Sequence, residues 1–460
     1  MGFLSWARPG GRVSFFHAKE NNLFLTKRSG KNGAKEQTTL AELCREATPA
    51  RCDLNPFLFN GHLQTCWTTV KFDAVPVYYK RRIFEADSAE YRGTFAVDFV
   101  VDPYDAPTDP EATDEERKYT LPSGLPERTA MLSEDEFAAL PSDDTKPMLV
   151  VLHGLSGGSH ELYLRHVLHP LVAEREWEAC VVNSRGCAQT KLSTGVLYNA
   201  RATWDVRQTV KWLRKVFPNR PLYGIGFSLG ANILTNYLGE EGDACQLKAA
   251  VICASPWNLE VSSVKLQSTY MGLEVYSKVM GSSMKRLFEQ HAEELSKNTR
   301  VNADEVRGTT YLHEFDRVLQ CAVWGYPTEG AYYRDAASTD SLFNIRIPFF
   351  VVQAEDDPIS NVKALPFQEI SQTPYGVMMT TSWGGHLGWF EFGGGRWFVK
   401  PVTNFLNMMA KEVDPEASPV VENPELVHGE PTTPQEPFSI ESSVAGFNPM
   451  RRKLALPIIK

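Results

Sequence analysis

Ser228 stands at the centre of the sequence Gly226-Phe227-Ser228-Leu229-Gly230, which is a G-x-S-x-G pattern. An apolar run, LYGIG, precedes the pattern, and a helix-like run, LGANILTNYLG, follows it. A tight turn from a strand into a helix presents a serine hydroxyl at a helix N-terminus, where developing negative charge is tolerated. The glycines leave room for that turn. We therefore interpret Ser228 as a candidate nucleophile, the alternative being a glycine-rich turn with an idle serine.

A serine nucleophile needs a base, and histidine is the usual one. In this setting the chain order is serine, acid and then histidine. Two histidines, His386 and His428, follow the last predicted strand, and His428 lies in a proline-rich stretch. The glycines around His386 let its loop bend over the serine. We predict His386 as the general base and then general acid; the alternative is a loop histidine packed by Trp383 and Trp389.

The acid that orients the histidine is expected at the end of the preceding strand, where Glu355, Asp356 and Asp357 follow one another. A carboxylate there holds the imidazole in the correct tautomer and stabilises its protonated form. We favour Asp357, which stands just before Pro358. Asp356 is the main competitor, and the remaining acids would serve as cap or turn residues.

A tetrahedral intermediate needs two backbone N–H groups to bind its oxyanion. One is expected from Leu229, directly after the serine, and we predict the second from Leu155 in the loop His153-Gly154-Leu155-Ser156-Gly157-Gly158. His153 precedes the serine in the chain, so we interpret it as a structural loop residue.

Other residue patterns argue against a metal or a cofactor. His160, His166 and His169 cluster in sequence, but no further ligand with suitable spacing follows them. The glycines at 224 and 226 do not continue as a dinucleotide fingerprint. We expect neither a metal nor a cofactor.

Composition narrows the function classes further. The chain has 460 residues, 43% of them hydrophobic and 22% charged, with a net charge of −9. An acidic chain without a basic stripe is not expected to bind nucleic acid. No apolar run is long enough to span a bilayer, and the first residues do not resemble a signal peptide. We expect an intracellular, cytoplasmic protein with its eight cysteines reduced, since none form a C-x-x-C pair.

The chain divides into unequal parts. Residues 1–50 are predicted to be an irregular N-terminal segment, 51–410 the main domain, and 411–460 a Pro-rich acidic tail. Within the main domain, 103–146 form an acidic, Pro-rich insertion with a short helix near 133–140. Residues 257–345 are helical in pattern and are predicted to form a cap.

Short apolar runs alternate with helical segments along the main domain. The predicted strands are continuous apolar runs, as in a parallel sheet covered on both faces; they cover residues 148–154, 179–186, 222–228, 247–255, 347–354 and 376–382. The predicted fold class is therefore α/β, with a mostly parallel central sheet, helices on both faces and a helical cap inserted before the penultimate core strand.

An ordered set of motifs carries a family resemblance over about residues 50–410. These are NGHLQT (60–65), HGLSGGSHELYLR (153–165), NSRGCAQTKLST (183–194), GFSLGANIL (226–234), EFD (314–316), AYYRDAAS (331–338), AEDDP (354–358) and GGHLGWFE (384–391). The set resembles the YheT-like branch of the α/β-hydrolase superfamily. Within that branch the chain looks most like the fungal medium-chain fatty acid ethyl ester synthases/esterases.

The resemblance implies an α/β-hydrolase fold and a Ser228–Asp357–His386 triad. It implies a serine esterase for short- to medium-chain fatty acyl esters, with acyl transfer to alcohols from acyl-CoA as a second outcome. The alternatives are a non-catalytic lipid- or protein-binding module, or a thioesterase, monoacylglycerol lipase or phospholipid lipase on the same triad. The expected partners are a fatty acyl ester or acyl-CoA and an alcohol acceptor, with peripheral contact to a lipid droplet or membrane. The roles of NGHLQT and of the pair Tyr332-Tyr333 stay open, packing of the cap on the core being one explanation.

Overall fold

A computed structural model describes residues 10–28, 36–70, 75–87, 91–105 and 114–428 of the chain. Every structural statement below concerns these residues.

The structure contains thirteen strands, which are β1 (Val13–His17), β2 (Leu23–Thr26), β3 (Gln37–Thr39), β4 (Tyr78–Glu85), β5 (Thr94–Val101), β6 (Thr129–Met131), β7 (Met148–Leu152), β8 (Glu178–Asn183), β9 (Leu222–Phe227), β10 (Leu247–Cys253), β11 (Phe349–Ala354), β12 (Gly376–Thr381) and β13 (Val420–Val421). Its α-helices are α1 (Leu40–Ala47), α2 (Gly61–Trp67), α3 (Asp114–Tyr119), α4 (Glu134–Ala138), α5 (Leu162–Val172), α6 (Trp204–Val216), α7 (Leu229–Glu241), α8 (Leu259–Gln267), α9 (Lys278–Gln290), α10 (Ala292–Leu295), α11 (Ala303–Gly308), α12 (Leu312–Phe315), α13 (Cys321–Trp324), α14 (Glu329–Ala336), α15 (Phe367–Ile370) and α16 (Val399–Lys411). Two π-helical segments cover Met271–Ser277 and Asp316–Gln320.

Ten strands form the central sheet, in the order β1-β12-β11-β10-β9-β7-β8-β5-β4-β6. The run from β12 to β8 is parallel throughout, while β1, β5 and β4 join it through antiparallel pairs. The six strands of the parallel run are those that the continuous apolar segments predict. Because both faces of these strands are covered, almost every residue in them is buried.

Helices cover the sheet on both faces. Val150 of β7 faces a core that α6 and α7 complete, while its neighbours Leu149 and Val151 face a second core with residues of α5 and α16. This alternation follows from the pleat of a strand, which turns successive side chains to opposite faces. The predicted α/β class, with a mostly parallel sheet between helical layers, is confirmed.

The cap lies between β10 and β11, where the sequence places it. Helices α8 to α14 and both π-helical segments fall within residues 259–336. Phe288, Phe315 and Leu319 of the cap are fully buried in the core that α6 and α7 share with the sheet. The cap is therefore packed on the body of the protein over the carboxyl end of the parallel strands.

The prediction that residues 1–50 are irregular is wrong for the residues described. β1 pairs antiparallel with β12 at the edge of the central sheet, and α1 begins at a capping box formed by Thr39 and Glu42. All five residues of β1 are only half-buried, so the segment lacks the continuous apolar run of a core strand. The backbone ladder to β12 holds it at the sheet edge, and Phe15 and Phe16 pack against the two cores from there.

The predicted tail is also partly ordered, because β13 pairs with β2 in a small three-stranded sheet, β13-β2-β3. Residues 429–460 of that tail lie outside the described residues. In the acidic insertion, α4 forms where a short helix is predicted, and β6 adds an unpredicted parallel strand beside β4. Residues 106–113 of the insertion lie outside the described part.

Strands β4 and β5 were not predicted either. β4 carries three consecutive cations, one of which, Arg81, is buried against Asp98 of β5 with two hydrogen bonds of 2.6 and 2.8 Å. A buried ion pair inside a strand breaks the apolar pattern on which the prediction depended. In the part of the chain that the structure describes, no helix has the length and apolar character needed to cross a membrane.

Candidate active site

Ser228 lies at the sharp turn between β9 and α7. Its backbone has φ 52° and ψ −119°, a conformation that costs energy for any residue other than glycine. The flanking glycines are required because neither position has room for a Cβ atom. A Cβ on Gly226 would lie 2.5 Å from the carbonyl oxygen of Gly230, and one on Gly230 would overlap the carbonyl oxygens of Leu152 and His153. The turn therefore needs glycine on both sides of the serine, as the pattern indicates.

The structure brings His386 and Asp357 to Ser228. The Ser228 hydroxyl lies 2.7 Å from Nε2 of His386, and Nδ1 of the same ring lies 2.7 Å from Oδ2 of Asp357. With Nδ1–H donating to the carboxylate, Nε2 is left to accept the serine proton. These three side chains, far apart in sequence, thus form the chain of contacts expected of a nucleophile, a base and an orienting acid.

Asp357 is itself fixed. Its Oδ1 accepts hydrogen bonds from the amides of Ile359 and Ser360, both at 2.8 Å, so Oδ2 remains for the imidazole. The side chain of Asp357 is fully buried. These contacts hold one carboxylate oxygen against Nδ1 without requiring an ion pair with a cation.

The two other acids of the AEDDP motif have different contacts. Oδ1 of Asp356 accepts from the amides of Gly384 and Gly385 at 2.9 and 3.0 Å, and burial raises the pKa of this carboxyl. Glu355 pairs with Arg12 at 2.9 Å and accepts from Thr380. The structure places Asp357, and neither of its neighbours, on the imidazole.

The NGHLQT motif, which forms the N-cap Asn60 and the first five residues of α2, supports the loop of His386. The Thr65 hydroxyl accepts a hydrogen bond from the His386 amide at 2.9 Å, and Oε1 of Gln64 accepts from the Phe390 amide at 2.8 Å. Gly385 has φ +64°, and a Cβ there would lie 2.5 Å from the carbonyl oxygen of Gly61. Sequence reasoning identified this motif without a role. The contacts show that it positions the loop that carries the histidine.

The predicted oxyanion donors are the amides of Leu155 and Leu229. Leu155, Ser228 and Leu229 line one cleft, and the loop of Leu155 lies against the serine, since a Cβ on Gly154 would contact the serine Cβ at 3.4 Å. The amides on either side of Leu155 are engaged, Gly154 donating to Tyr163 and Ser156 to Tyr198, both at 2.8 Å. In the described chain the amides of Leu155 and Leu229 have no such partner, which leaves them available to an oxyanion.

His153 has the contacts of a structural residue. Its Nε2 accepts from the Ser184 amide at 3.0 Å and its Nδ1 donates to the Gly154 carbonyl at 2.7 Å. Burial lowers its pKa to about 4, so the ring is neutral at physiological pH. No group of three side chains able to hold a metal occurs among the residues that the structure describes.

The cleft in front of Ser228 has a volume of about 100 Å³ and lies between the sheet and the cap. Its apolar walls are aliphatic or thioether side chains, contributed by Leu155, Leu229, Pro256, Leu259, Leu266, Met280, Met284, Leu312 and Ile359, and the serines of the cap at 262, 263 and 277 line it as well. None of the lining residues is a lysine or arginine. An apolar cleft with convergent polar groups at one point is the usual form of a site for an apolar ligand.

Three features together define the class of α/β-hydrolase-fold proteins. They are a mostly parallel sheet between helical layers, a strained serine at the carboxyl edge of that sheet, and a histidine that contacts the serine. Comparison with known proteins agrees, since a family model described as "alpha/beta hydrolase fold" matches residues 147–368.

Curated relatives match over most of the chain. A protein named "Monoacylglycerol lipase" from Saccharomyces cerevisiae is 36% identical over 409 residues, covering 85% of this chain and 89% of its own. "Medium-chain fatty acid ethyl ester synthase/esterase 2" from the same organism is 30% identical and covers 81% of this chain and 90% of its own. Human "Phospholipase ABHD3" is 30% identical over 54% of this chain and 59% of its own. The chain belongs to the α/β hydrolase family and stands among its esterases and lipases.

Proposed function

We propose that this protein is a serine esterase that hydrolyses short- to medium-chain fatty acyl esters through an acyl-Ser228 intermediate. The observation that carries the proposal is the pair of 2.7 Å contacts that join Ser228 to His386 and His386 to Asp357. The apolar cleft beside Ser228 supports an aliphatic acyl group as the part of the substrate that is bound.

The first half of the reaction forms the acyl-enzyme. Oγ of Ser228 attacks the ester carbonyl carbon while Nε2 of His386 accepts the hydroxyl proton. The carbonyl oxygen becomes an oxyanion, which the amides of Leu155 and Leu229 stabilise. When the tetrahedral intermediate collapses, the bond to the alcohol oxygen breaks and His386 returns its proton to the leaving alcohol. Asp357 stabilises the imidazolium throughout.

The second half releases the acyl group. Water gives its proton to His386 as it attacks the acyl carbon, and collapse frees a fatty acid and restores the Ser228 hydroxyl. An alcohol in place of water would give a new ester by the same steps, with acyl-CoA as one acyl donor. Access of water or alcohol to the acyl-enzyme decides between the two outcomes.

Acyl transfer is a second candidate activity, favoured by the relative named as both a synthase and an esterase. A series of p-nitrophenyl esters of increasing acyl length, assayed with and without ethanol and acyl-CoA, tests both proposals. We expect kcat/KM to be highest at medium chain length. Ethyl ester formed from acyl-CoA and ethanol would support transfer. Absence of any ester cleavage would contradict the proposed function and favour a binding module.

Several large apolar side chains are exposed on the surface beside the site. Phe57, Phe59 and Phe392 are 74, 66 and 72% exposed, and the rings of Phe57 and Phe392 lie 6.4 Å apart. Leu63 and Trp67, one turn apart on α2, are also exposed. In the chain, Phe57 and Phe59 directly precede α2, which contacts the loop of His386, and Phe392 directly follows that loop. Exposed aromatic side chains grouped in this way are typical of contact with lipid.

We propose that these five side chains, the apolar rim, insert into a lipid surface and bring the cleft to it. Flotation with phosphatidylcholine-coated trioctanoin droplets tests this. The triple variant Phe57→Ser, Phe59→Ser, Phe392→Ser should bind droplets severalfold less than wild type. Val420→Ser, an exposed apolar residue of β13, is the matched control. Undiminished flotation of the triple variant, or a wild-type dimer that the variant abolishes, would contradict the lipid assignment.

A further inference from the structure

A second cavity, of about 530 Å³, borders the reacting centre and is distinct from the apolar cleft. His386 and Leu387 line it, and Ile359 lines both this cavity and the cleft of Ser228. Nε2 of His386 contacts the Ser228 hydroxyl at 2.7 Å, so the second cavity and the cleft share the imidazole as a neighbour. The proposed mechanism uses only the cleft.

Two buried arginines line this second cavity, which we call the arginine cavity. Arg165 of α5 is 3% exposed and Arg396 is 4% exposed. In the described chain Arg165 donates one hydrogen bond, to the Glu127 carbonyl at 3.3 Å. Arg396 likewise donates one there, to the Leu387 carbonyl. Because a guanidinium carries five N–H donors, both side chains keep donors that the protein does not use.

The acids of the arginine cavity do not neutralise the two buried arginines. Glu127 lies 3.6 Å from Arg128, and Glu161 lies 3.7 Å from His160. In the part of the chain that the structure describes, neither carboxylate forms an ion pair with the buried pair. Among the arginines and glutamates that line the cavity, three are cations and two are anions, which leaves an excess of one positive charge.

Helix α5 adds to the positive potential of the arginine cavity. Glu161, Leu162 and Tyr163, at the N-terminus of this helix, all line the cavity. The first amides of a helix have no partner within it, and the Glu161 side chain does not cap them. These amides and the helix dipole favour a bound anion. The helix end and the two buried arginines therefore select the same kind of ligand.

The chemistry of the arginine cavity favours a singly charged, planar anion. A guanidinium binds a carboxylate through paired N–H···O contacts. An excess of one positive charge matches one carboxylate, whereas a dianion such as inorganic phosphate would leave a buried negative charge uncompensated. Ester hydrolysis releases a carboxylate at Ser228, in a cleft that no lysine or arginine lines. The adjoining arginine cavity offers the cations that the cleft lacks.

We propose that the arginine cavity is a carboxylate-binding site, in which Arg165 and Arg396 hold the head group of the released fatty acid while its chain remains in the cleft. The bound acid then occupies the space that the next ester needs, so the product inhibits the enzyme. This role in product binding rests on the proposed esterase function. A short water-soluble acid has the same head group but cannot fill the cleft, which separates the two sources of carboxylate.

The first test compares octanoate with octanamide, its neutral isostere, as inhibitors of p-nitrophenyl octanoate hydrolysis. In wild type the inhibition constant of octanoate should be at least tenfold lower than that of octanamide. Arg165→Met should raise the constant of octanoate about tenfold and leave that of octanamide unchanged. Arg175→Met is the matched control, since it makes the same change at a 73% exposed arginine just beyond α5. Equal inhibition by the two compounds in wild type, or an equal rise for both in Arg165→Met, would overturn the proposal.

A second measurement needs neither turnover nor a change at the arginines. Calorimetry on Ser228→Ala should show octanoate binding at least tenfold more tightly than propionate, and inorganic phosphate binding more weakly than octanoate. Equal affinity for propionate and octanoate would assign the site to a small acid, and tighter binding of phosphate would assign it to a dianion. Either result would overturn the proposal. If Ser228→Ala binds octanoate while wild type cleaves no ester, the carboxylate site stands and the proposed esterase function fails.

Discussion

Thr65 and His386 are 321 positions apart, and the Thr65 hydroxyl accepts a hydrogen bond of 2.9 Å from the His386 backbone amide. The same hydroxyl donates to the Gly61 carbonyl at 2.6 Å, so it is held by its own helix while it holds the loop. A helix near the N-terminus thereby fixes the residue proposed as the general base. The position of that base depends on a segment far from it in sequence.

The first prediction follows from this contact. Thr65→Ala should lower kcat between about 10- and 100-fold with a smaller change in KM, because a displaced imidazole misaligns the proton transfer while the cleft is unchanged. Thr65→Ser should restore most of the rate, since it keeps the hydroxyl. Steady-state kinetics on a p-nitrophenyl ester measure the split.

Thr69→Ala is the matched control, because the Thr69 hydroxyl makes a similar contact, to the Cys66 carbonyl, on the exposed side of the same segment. A loss in Thr65→Ala no larger than in this control would show that the contact does not position the histidine.

The second prediction concerns which of the two adjacent acids orients the imidazole of His386. Asp357→Asn should lower kcat by about 10²- to 10⁴-fold, because the amide cannot stabilise the imidazolium and favours the wrong tautomer. Asp356→Asn keeps an oxygen for the amides of Gly384 and Gly385 and should cost less than about tenfold. The reverse order of losses would assign the orienting acid to Asp356.

The third prediction concerns the glycines of the serine turn. Gly226→Ala and Gly230→Ala should each destabilise the fold by about 3 kcal/mol or more, because the new methyl group would meet backbone atoms that cannot move aside. Thermal unfolding measures the effect. Gly308→Ala at the end of α11 is the control, since nothing lies within 4 Å of a Cβ there. Similar melting temperatures for all three variants would show that the turn is not tightly packed.

The fourth prediction concerns Asp316, which belongs to the cap and lines the cleft of Ser228. Burial raises the pKa of this carboxyl from 3.8 to about 7. In the unfolded chain this carboxyl loses its proton near pH 4, while the folded protein retains it to about pH 7. The stability that the protonated group contributes is therefore present at low pH and lost as the pH rises through 7.

Asp316→Asn lacks this loss, and its oxygen can still accept from Tyr333. Its stability relative to wild type should rise between pH 5 and pH 8 by about 2 kcal/mol, seen as a melting temperature higher by roughly 5 °C. If the melting temperatures of Asp316→Asn and wild type differ by the same amount at pH 5 and at pH 8, Asp316 is ionised in the folded protein over that whole range.

The extent to which the sequence predicts this structure varies with the kind of element. The buried parallel strands are continuous apolar runs, so β7 to β12 could be located within a few residues. The turn of Ser228 was equally predictable, because so tight a turn has no room for side chains at its glycine positions and the glycines form a recognisable pattern in the sequence. Two strands of the sheet, the edge strand β1 and the inner strand β4, were missed. β1 is short and only half-buried, and the buried Arg81–Asp98 pair interrupts the apolar pattern of β4.

The candidate site likewise has features that the sequence predicts and features that it does not. Residue types and chain order led to Ser228, His386 and Asp357, but the choice of Asp357 over Asp356 depends on which carboxylate faces Nδ1. Only a three-dimensional arrangement decides that. The role of Thr65 and the grouping of Arg165 with Arg396 beside His386 also depend on contacts between segments that are distant in sequence, and no local pattern indicates them.

The central claim is that Ser228 is the nucleophile. Its most direct test is labelling of the purified protein with a fluorophosphonate, followed by mass spectrometry of the peptides. The account predicts one adduct, on Ser228, which forms quickly in wild type, slowly in His386→Ala and not at all in Ser228→Ala. Equal labelling of wild type and Ser228→Ala, or an adduct on another serine, would contradict it.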